Sequence, residues 1–388
     1  MKTVGWVRDD KNDYDAWAKV VGDPRWSYEG FLPYFKKTEH YHTKDLDAFQ
    51  HGYDGPLYTQ PVASSGRGYP LTENIKRSWE ELGVERGMDA NAGNPMGIAM
   101  VTENLGDGKR QIASDVYTLE GVTVLTGAVV ASVVLEGNKA VGVELVDGRV
   151  FKASEEVILS AGAIATLQIL LLSGIGAKED LVEHGIEQPV DAPEVGKNFH
   201  EHMCVSQWWQ LKEPEKGLAA NPVIPSDGSH VTTTVMAMLP TSRGTVTLAS
   251  KDPVTPPRID PNYYATEADR YVVRTALRKL MQVMMETKEG KAMVKEQVVA
   301  TGQNRLSPRS SDEDIDELVR ECGSGISHTA GTASMGTVVD SNLRVNGVQG
   351  LRVVDASVIP VPLAAHLQAF IYALAEQATE IIVQERGK

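Results

Sequence analysis

Two histidines stand out near the C-terminal end of this chain. His328 lies in Ser327-His328-Thr329-Ala330-Gly331-Thr332-Ala333-Ser334-Met335-Gly336 and His366 in Ala365-His366-Leu367-Gln368-Ala369. Imidazole titrates nearest neutrality, so two that converge on one pocket can take, hold and return a proton at ordinary pH. Between them runs Leu351-Arg352-Val353-Val354-Asp355-Ala356-Ser357, the strand-and-turn unit that has to bring them together. The plainer alternative is a pair of hydrogen-bonded histidines buried in a C-terminal core. His40 with His42, and His200 with His202, have the spacing that puts both members on one face of a strand. Glu39, Glu201 and Cys204 lie close by but complete no recognisable ligand set, so no metal site is assigned.

The elements that must position these residues follow from periodicity. The N-terminal part, rich in aromatic and turn residues, predicts short helices and loops. Thr72 can cap a helix with Ile75, Trp79 and Leu82 on one face, ended by Gly83. Residues 122–125, 129–135, 140–146 and 149–151 alternate with period two around turns at Glu136-Gly137-Asn138 and Asp147-Gly148, which predicts a β-meander. Next come a buried strand at Val157-Ile158-Leu159, a turn at Ser160-Ala161-Gly162 and a helix over 165–172. Residues 157–177 carry no charge and are long enough to span a bilayer, but the turn and Gln168 favour the strand-turn-helix reading.

A second sheet is expected to include 231–239 and 245–248. Two long helices follow. One is capped near Thr266 and carries Val273, Leu277, Leu280 and Met284 on one face; the other starts near Leu367 with Phe370, Leu374, Ala378 and Ile381. Met281, Met284 and Met285 read as core filler, and the acidic run 312–317 as the solvated first turn of a helix.

The chain has 388 residues, 42% hydrophobic and 23% charged, enough for a sizeable core in two domains or one large one. Its net charge of -14 repels phosphate backbones and anionic lipid surfaces, which excludes nucleic acid and membrane as main partners. Cys204 and Cys322 are far apart and form no CxxC, so no disulfide framework is encoded and a reducing compartment fits best. No signal peptide or membrane span is read, so the expected location is cytoplasmic.

At this point several segments resemble one family. They are Asp13-Tyr14-Asp15-Ala16-Trp17 with Trp26-Ser27-Tyr28; Gly162-Ala163-Ile164-Ala165-Thr166-Leu167-Gln168 through Ser173-Gly174-Ile175-Gly176; Val195-Gly196-Lys197-Asn198-Phe199-His200-Glu201-His202; Thr241-Ser242-Arg243-Gly244-Thr245-Val246; and Ile259-Asp260-Pro261-Asn262-Tyr263. With the C-terminal block they are similar to the glucose-methanol-choline (GMC) oxidoreductases, in particular fungal members that oxidise alcohols with FAD. Leu167 stands where the family has proline, and Glu201 where it has aspartate.

The resemblance implies an α/β chain with α+β elements. Its FAD-binding domain would hold the β-meander, and its substrate domain would be built on a second, mostly antiparallel sheet. Residues 111–202 and 322–388 would form the first, residues 1–110 and 203–321 the second. It further implies FAD as cofactor, approached by Val130, Asp355 and Ala356, with His328 and His366 over the reactive face and a small alcohol, benzylic in one reading, as substrate. The Gly-x-Gly-x-x-Gly string of a dinucleotide-binding βαβ unit is not found; the nearest, Gly323-Ser324-Gly325-Ile326-Ser327-His328, lacks the third glycine. The expectation is therefore an incomplete FAD-binding domain without its N-terminal unit, which a partner chain could supply. Two alternatives stay open: an FAD-independent isomerase, lyase or cyclase using a histidine base, and an inactive truncated relic.

Overall fold

The fold is taken from a computed structural model, which describes residues 4–43, 49–87, 89–213, 227–300 and 303–387. Near the N-terminus, Asp10 caps the helix Lys11–Val21 by accepting from Asn12 N, and Ser27 caps Tyr28–Thr38 by accepting from Gly30 N. These two helices and the turn between them gather Tyr14, Trp17, Trp26, Phe31 and Phe35 into one buried aromatic cluster. Trp17 and Trp26 stack with centroids 5.3 Å apart. Phe370 enters the cluster from the C-terminal helix Gln368–Arg386, 5.4 Å from Trp17 and 5.5 Å from Phe31. The aromatic segment thus seats the helix that directly follows His366.

The β-meander is formed by Val130–Glu136, Lys139–Leu145 and Val150–Lys152, paired antiparallel in that order. Residues 122–125 are not a strand, against expectation: they pair with no described strand, and Val122, Val124 and Leu125 point to solvent. Alternation alone does not make a strand without a neighbour to complete its ladder.

Val157–Leu159 pairs in parallel with Leu351–Val353, Val157 opposite Leu351 and Leu159 opposite Val353. Ile158 is 42% exposed, so this strand is buried on one face and not throughout as expected, whereas its partner Leu351–Val353 is buried along its whole length. The helix that follows spans Gly162–Leu172, starting earlier than read. The uncharged stretch 157–177 is therefore strand, turn and helix, and no described helix is long and apolar enough to cross a membrane.

The second sheet centres on Met203–Leu211, a strand the sequence reading missed although Met203, Val205, Trp209 and Leu211 alternate inward. It pairs antiparallel with His230–Ala237 on one side and Val294–Val298 on the other. Thr245–Thr247 does not join it, contrary to expectation, but pairs with Arg258–Asp260. Pro240 lies between the two strands and has no N–H to donate to a ladder.

Against the sheet packs Glu267–Met285, capped by Thr266, with Val273, Leu277, Met281 and Met284 buried. Thr72–Glu81 is a helix as read, but Leu71 and not Thr72 occupies the cap position. Asp312–Cys322 begins with a capping box from Ser311 and Asp314. The acidic run is not all solvated: Asp316 is buried, where it accepts from Arg274 Nη2 at 2.5 Å and Tyr264 Oη at 2.7 Å.

Candidate active site

The loop Val195–His202 crosses the segment that carries His328. His200 pairs with Ala330 in an antiparallel bridge, and Ile326 N donates to the His202 carbonyl at 3.2 Å. The Glu201 carboxylate lies between them. Its Oε1 accepts from the backbone N of His328 at 3.1 Å, and its Oε2 accepts from Tyr263 Oη. Gly325 makes this possible, since a Cβ there would lie 2.4 Å from Tyr263 Oη and 2.7 Å from Glu201 Oε1. Ser327 takes a left-handed conformation, φ 63°, that turns His328 inward.

His366 arrives from the loop before the C-terminal helix. Ala364 N donates to Asp13 Oδ2 at 3.2 Å, which ties this loop to the first helix. The rings of His328 and His366 then meet edge to face: His366 Nδ1 is 3.2 Å from His328 Nε2, with centroids 5.0 Å apart. On its other side His328 Nδ1 is 2.8 Å from His202 Nδ1. Three imidazoles stand in a row, and the sequence reading had only two of them. The signal was present in His200-x-His202, but the two do not share a target: His200 Nδ1 faces the Asn198 carbonyl at 2.9 Å.

Burial holds all three below the ordinary imidazole range. His328 falls to about 3 through burial and the neighbouring His202 and His366, and His202 to about 4 through burial and its neighbours His200 and His366. His366 is lowered by burial alone. All three are therefore neutral at neutral pH, each with one N–H and one lone pair.

His200, 3% exposed, is likewise lowered to about 4 by burial. A stability prediction follows. As pH falls from 6.5 towards 4, the unfolded chain binds protons at His200 and His202 that the folded chain refuses. Burial and the adjacent Asp13 push Asp9 up to about 9, so the folded state keeps one proton there that the unfolded state takes up only near 3.8. His328 adds to the loss, and Asp13, raised by burial, opposes it. Two protons against one over this window leave a net loss of about 3 kcal/mol. Urea unfolding at pH 6.5 and pH 4.5 checks the sign; equal or greater stability at the lower pH contradicts it.

Of the residues expected to approach the cofactor, Asp355 and Ala356 lie just beyond the carboxyl end of Leu351–Val353, and the turn before helix Gly162–Leu172 lies at the carboxyl end of its parallel partner Val157–Leu159. Ligands in parallel α/β sheets bind outside such ends. Asp355 Oδ2 accepts from Gly162 N at 2.9 Å and Thr166 Oγ1 at 2.6 Å, and Oδ1 from Ser357 N at 2.8 Å and Oγ at 2.6 Å. Its carboxylate is fully used inside the protein, which leaves only backbone for a ligand. Gly162 has φ +85° and open space where a Cβ would point, beside exposed Ser160 and Ala161. Such an open backbone cradle fits a dinucleotide. Val130 is half-buried at the start of the meander.

A cleft of about 630 Å³ opens along the C-terminal helix, lined by Ile112, Tyr117, Gln368, Ile371, Tyr372 and Ala375 among others. Tyr117 and Tyr372 stack across it, and buried Gln368 Oε1 has no partner among the described residues. None of the three histidines lines it, although Gln368 is only two residues from His366.

The sequence matches place the parallel pair, the second sheet and the histidine row in one family. The GMC oxidoreductase N-terminal domain matches residues 2–204 and its C-terminal domain residues 240–375. The chain belongs to the glucose-methanol-choline oxidoreductase family, a family of FAD-linked oxidoreductases. It is 36% identical to the GMC-type oxidoreductase acuG of Aspergillus aculeatus, over 98% of this chain and 82% of that protein. It is 28% identical to an alcohol dehydrogenase [acceptor] of Pseudomonas putida, over 99% and 80%. The solved pyridoxine 4-oxidase of Mesorbium loti superposes with a TM-score of 0.86 at 26% identity, covering 97% of this chain and 81% of that one. The match over 2–204 corrects the expectation that the N-terminal unit is lacking: the family's N-terminal domain is present, although no Gly-x-Gly-x-x-Gly string occurs in the 388 residues.

Proposed function

We propose that this protein oxidises the CH–OH group of an alcohol, one whose carbinol carbon is attached to an aromatic ring, and that His328 and His366 handle the proton. The observation that carries the reading is the convergence of two neutral imidazoles at 3.2 Å. One takes the hydroxyl proton as the O–H bond breaks, and the other holds the oxygen by a hydrogen bond. FAD, when bound, supplies the acceptor for the hydride and its two electrons. The backbone of Asp355 and Ala356, with Val130, would hold that cofactor, within a cofactor domain of residues 111–202 and 322–388. Residues 1–110 and 203–321 would shape the substrate side. The likeness to the pyridoxine 4-oxidase of Mesorbium loti, 26% identical, supports an alcohol carried on an aromatic ring.

The test is anaerobic titration of the FAD-reconstituted protein with benzyl alcohol and with aliphatic alcohols. Alcohol-dependent bleaching of the flavin, strongest with the benzylic substrate, is expected. Bound flavin that no alcohol bleaches would end the proposal.

A further inference from the structure

We propose that Gly5 is a specificity-determining residue: its missing side chain leaves room beside His366 for a second carbon substituent on the carbinol carbon, so that the substrate is a secondary aryl alcohol and the product a ketone.

His366 leaves one ring edge unused. Its Nδ1 meets His328 Nε2 at 3.2 Å, whereas its Nε2 meets no hydrogen-bonding group among the described residues and is not closed off from solvent. His328 has both nitrogens engaged, by His202 and by His366. A hydroxyl group therefore reaches the pair at the Cδ2–Nε2 edge of His366. That contact alone is required here, not the identity of the ring that takes the proton. Residue 5 stands at the same edge: a Cβ there would lie 3.4 Å from His366 Cδ2, 3.8 Å from Nε2 and 3.9 Å from Cγ.

Nothing in the backbone or the packing asks for glycine at this position. Gly5 has no left-handed φ, and those Cβ distances are ordinary van der Waals contacts, unlike Gly325, where a Cβ would meet Tyr263 Oη at 2.4 Å. Gly5 forms an antiparallel bridge with Glu103, flanked by Trp6 N donating to the Thr102 carbonyl at 2.7 Å and Asn104 N donating to the Val4 carbonyl at 2.9 Å. In such an extended, paired segment glycine weakens the structure, and a β-branched residue fits better. A glycine that neither a turn nor a close contact requires marks the approach of a ligand.

The segment is also held in place. Trp6 is fully buried, its ring 5.7 Å from that of Tyr372, and its carbonyl accepts from Asn91 Nδ2 at 3.1 Å, while Arg8 N donates to Asn91 Oδ1 at 2.6 Å. A side chain at residue 5 would thus grow along the open ring edge of His366, into the space beside the carbinol carbon. A primary alcohol leaves that space unfilled, and a secondary alcohol fills it with its extra carbon group. In the reaction the carbinol C–H bond breaks and its hydride, with two electrons, passes to the flavin; the O–H proton passes to the histidine pair, and the C=O bond of a ketone forms. The substrate class rests on the function proposed above.

The test compares 1-phenylethanol with benzyl alcohol on the FAD-reconstituted protein, as wild type, Gly5→Ala and Gly5→Val. Wild type is expected to reduce its flavin with both alcohols. In Gly5→Val the ratio of kcat/KM for 1-phenylethanol over benzyl alcohol is expected to fall by about 10–200-fold, the usual discrimination for one methyl-sized group, with Gly5→Ala in between. Acetophenone, which has no carbinol hydrogen to give up, supplies a readout without turnover: calorimetry is expected to show it bound about tenfold more weakly by Gly5→Val than by wild type. Flavin content and circular dichroism should match wild type, since valine suits an extended backbone.

A wild type that oxidises benzyl alcohol and refuses 1-phenylethanol overturns the proposal, whether or not any variant folds. So does a selectivity ratio that Gly5→Val leaves unchanged. Loss of flavin from Gly5→Val, with acetophenone bound as tightly as by wild type, would show that the cofactor and not the substrate packs on residue 5, and also overturns it. Flavin that no alcohol reduces ends the proposed function and this proposal with it, whereas oxidation of benzyl alcohol alone ends only this one.

Discussion

His366→Ala is expected to lower alcohol-dependent flavin reduction by roughly 10²–10⁴-fold, the usual contribution of a positioned general base. His328→Ala should fall in the same range, because it removes the ring that meets both His202 and His366. Those losses correspond to about 3–5 kcal/mol of transition-state stabilisation. Stability should change far less, since all three rings are desolvated and held below their ordinary pKa. Stopped-flow reduction with benzyl alcohol measures the effect, and circular dichroism confirms the fold. A loss smaller than tenfold in both variants would show that another group moves the proton. The pH profile gives an independent sign. The base must be neutral to act, and burial lowers its pKa, so the acid limb of activity should lie below pH 6.5.

Glu39→Ala is expected to cost about 3–5 kcal/mol of folding stability, because it strands buried charge. Glu39 and Arg8 are both sealed from solvent, and Arg8 Nη2 donates to Glu39 Oε2 at 2.6 Å. His51 Nδ1 meets the same oxygen at 2.9 Å, its Nε2 meets Asp89 Oδ2 at 2.7 Å, and Thr59 Oγ1 donates to Glu39 Oε1 at 3.0 Å. Burial pushes the Glu39 carboxyl up, but Arg8 and His51 outweigh it and leave it below its usual value. Burial likewise pushes His51 down, yet Asp89 and Glu39 hold it above the ordinary imidazole pKa.

With Glu39 gone, Arg8 keeps its charge in the core with the Gln50 carbonyl and the Phe35 ring against it and no carboxylate bonded to it. Urea unfolding measures the loss. The double variant Arg8→Met, Glu39→Met separates the two causes: if stranded charge is responsible, it should recover much of the stability, whereas a cost as large as the single variant's would point to lost packing.

This cluster was invisible in the sequence. Glu39 lies 31 residues from Arg8, and Asp89 lies 38 from His51. Charged residues so separated read as ordinary surface, and only the packing of the N-terminal helices brings them inside. The same limit explains the misread strands. Residues 122–125 have the alternation of a strand but no neighbour, while Met203–Leu211 is a strand whose alternation was visible and went unread beside the motif loop. Ile158 looks like core by type, yet it is exposed, while its register partner Arg352, charged by type, is buried.

Local chemistry was legible wherever a short-range rule decides. Thr266 capping its helix, the turn at Gly137 and the inward face Val273, Leu277 and Met284 all depend on residues a few positions apart. The sequence also determined which residues could do chemistry, His328 and His366, and the family to which the chain belongs.

Only the tertiary structure decided how those residues are joined. His202 meets His328 across 126 residues, Glu201 anchors the His328 backbone across 127, and the Asp355 carboxylate ties off the turn at Gly162 across 193. The physical reason is that a side chain's type and local period are fixed by the chain, whereas the partner of each ring nitrogen is chosen by packing between distant segments. That choice of partner, and not residue type, determines which ring nitrogens are already engaged within the protein.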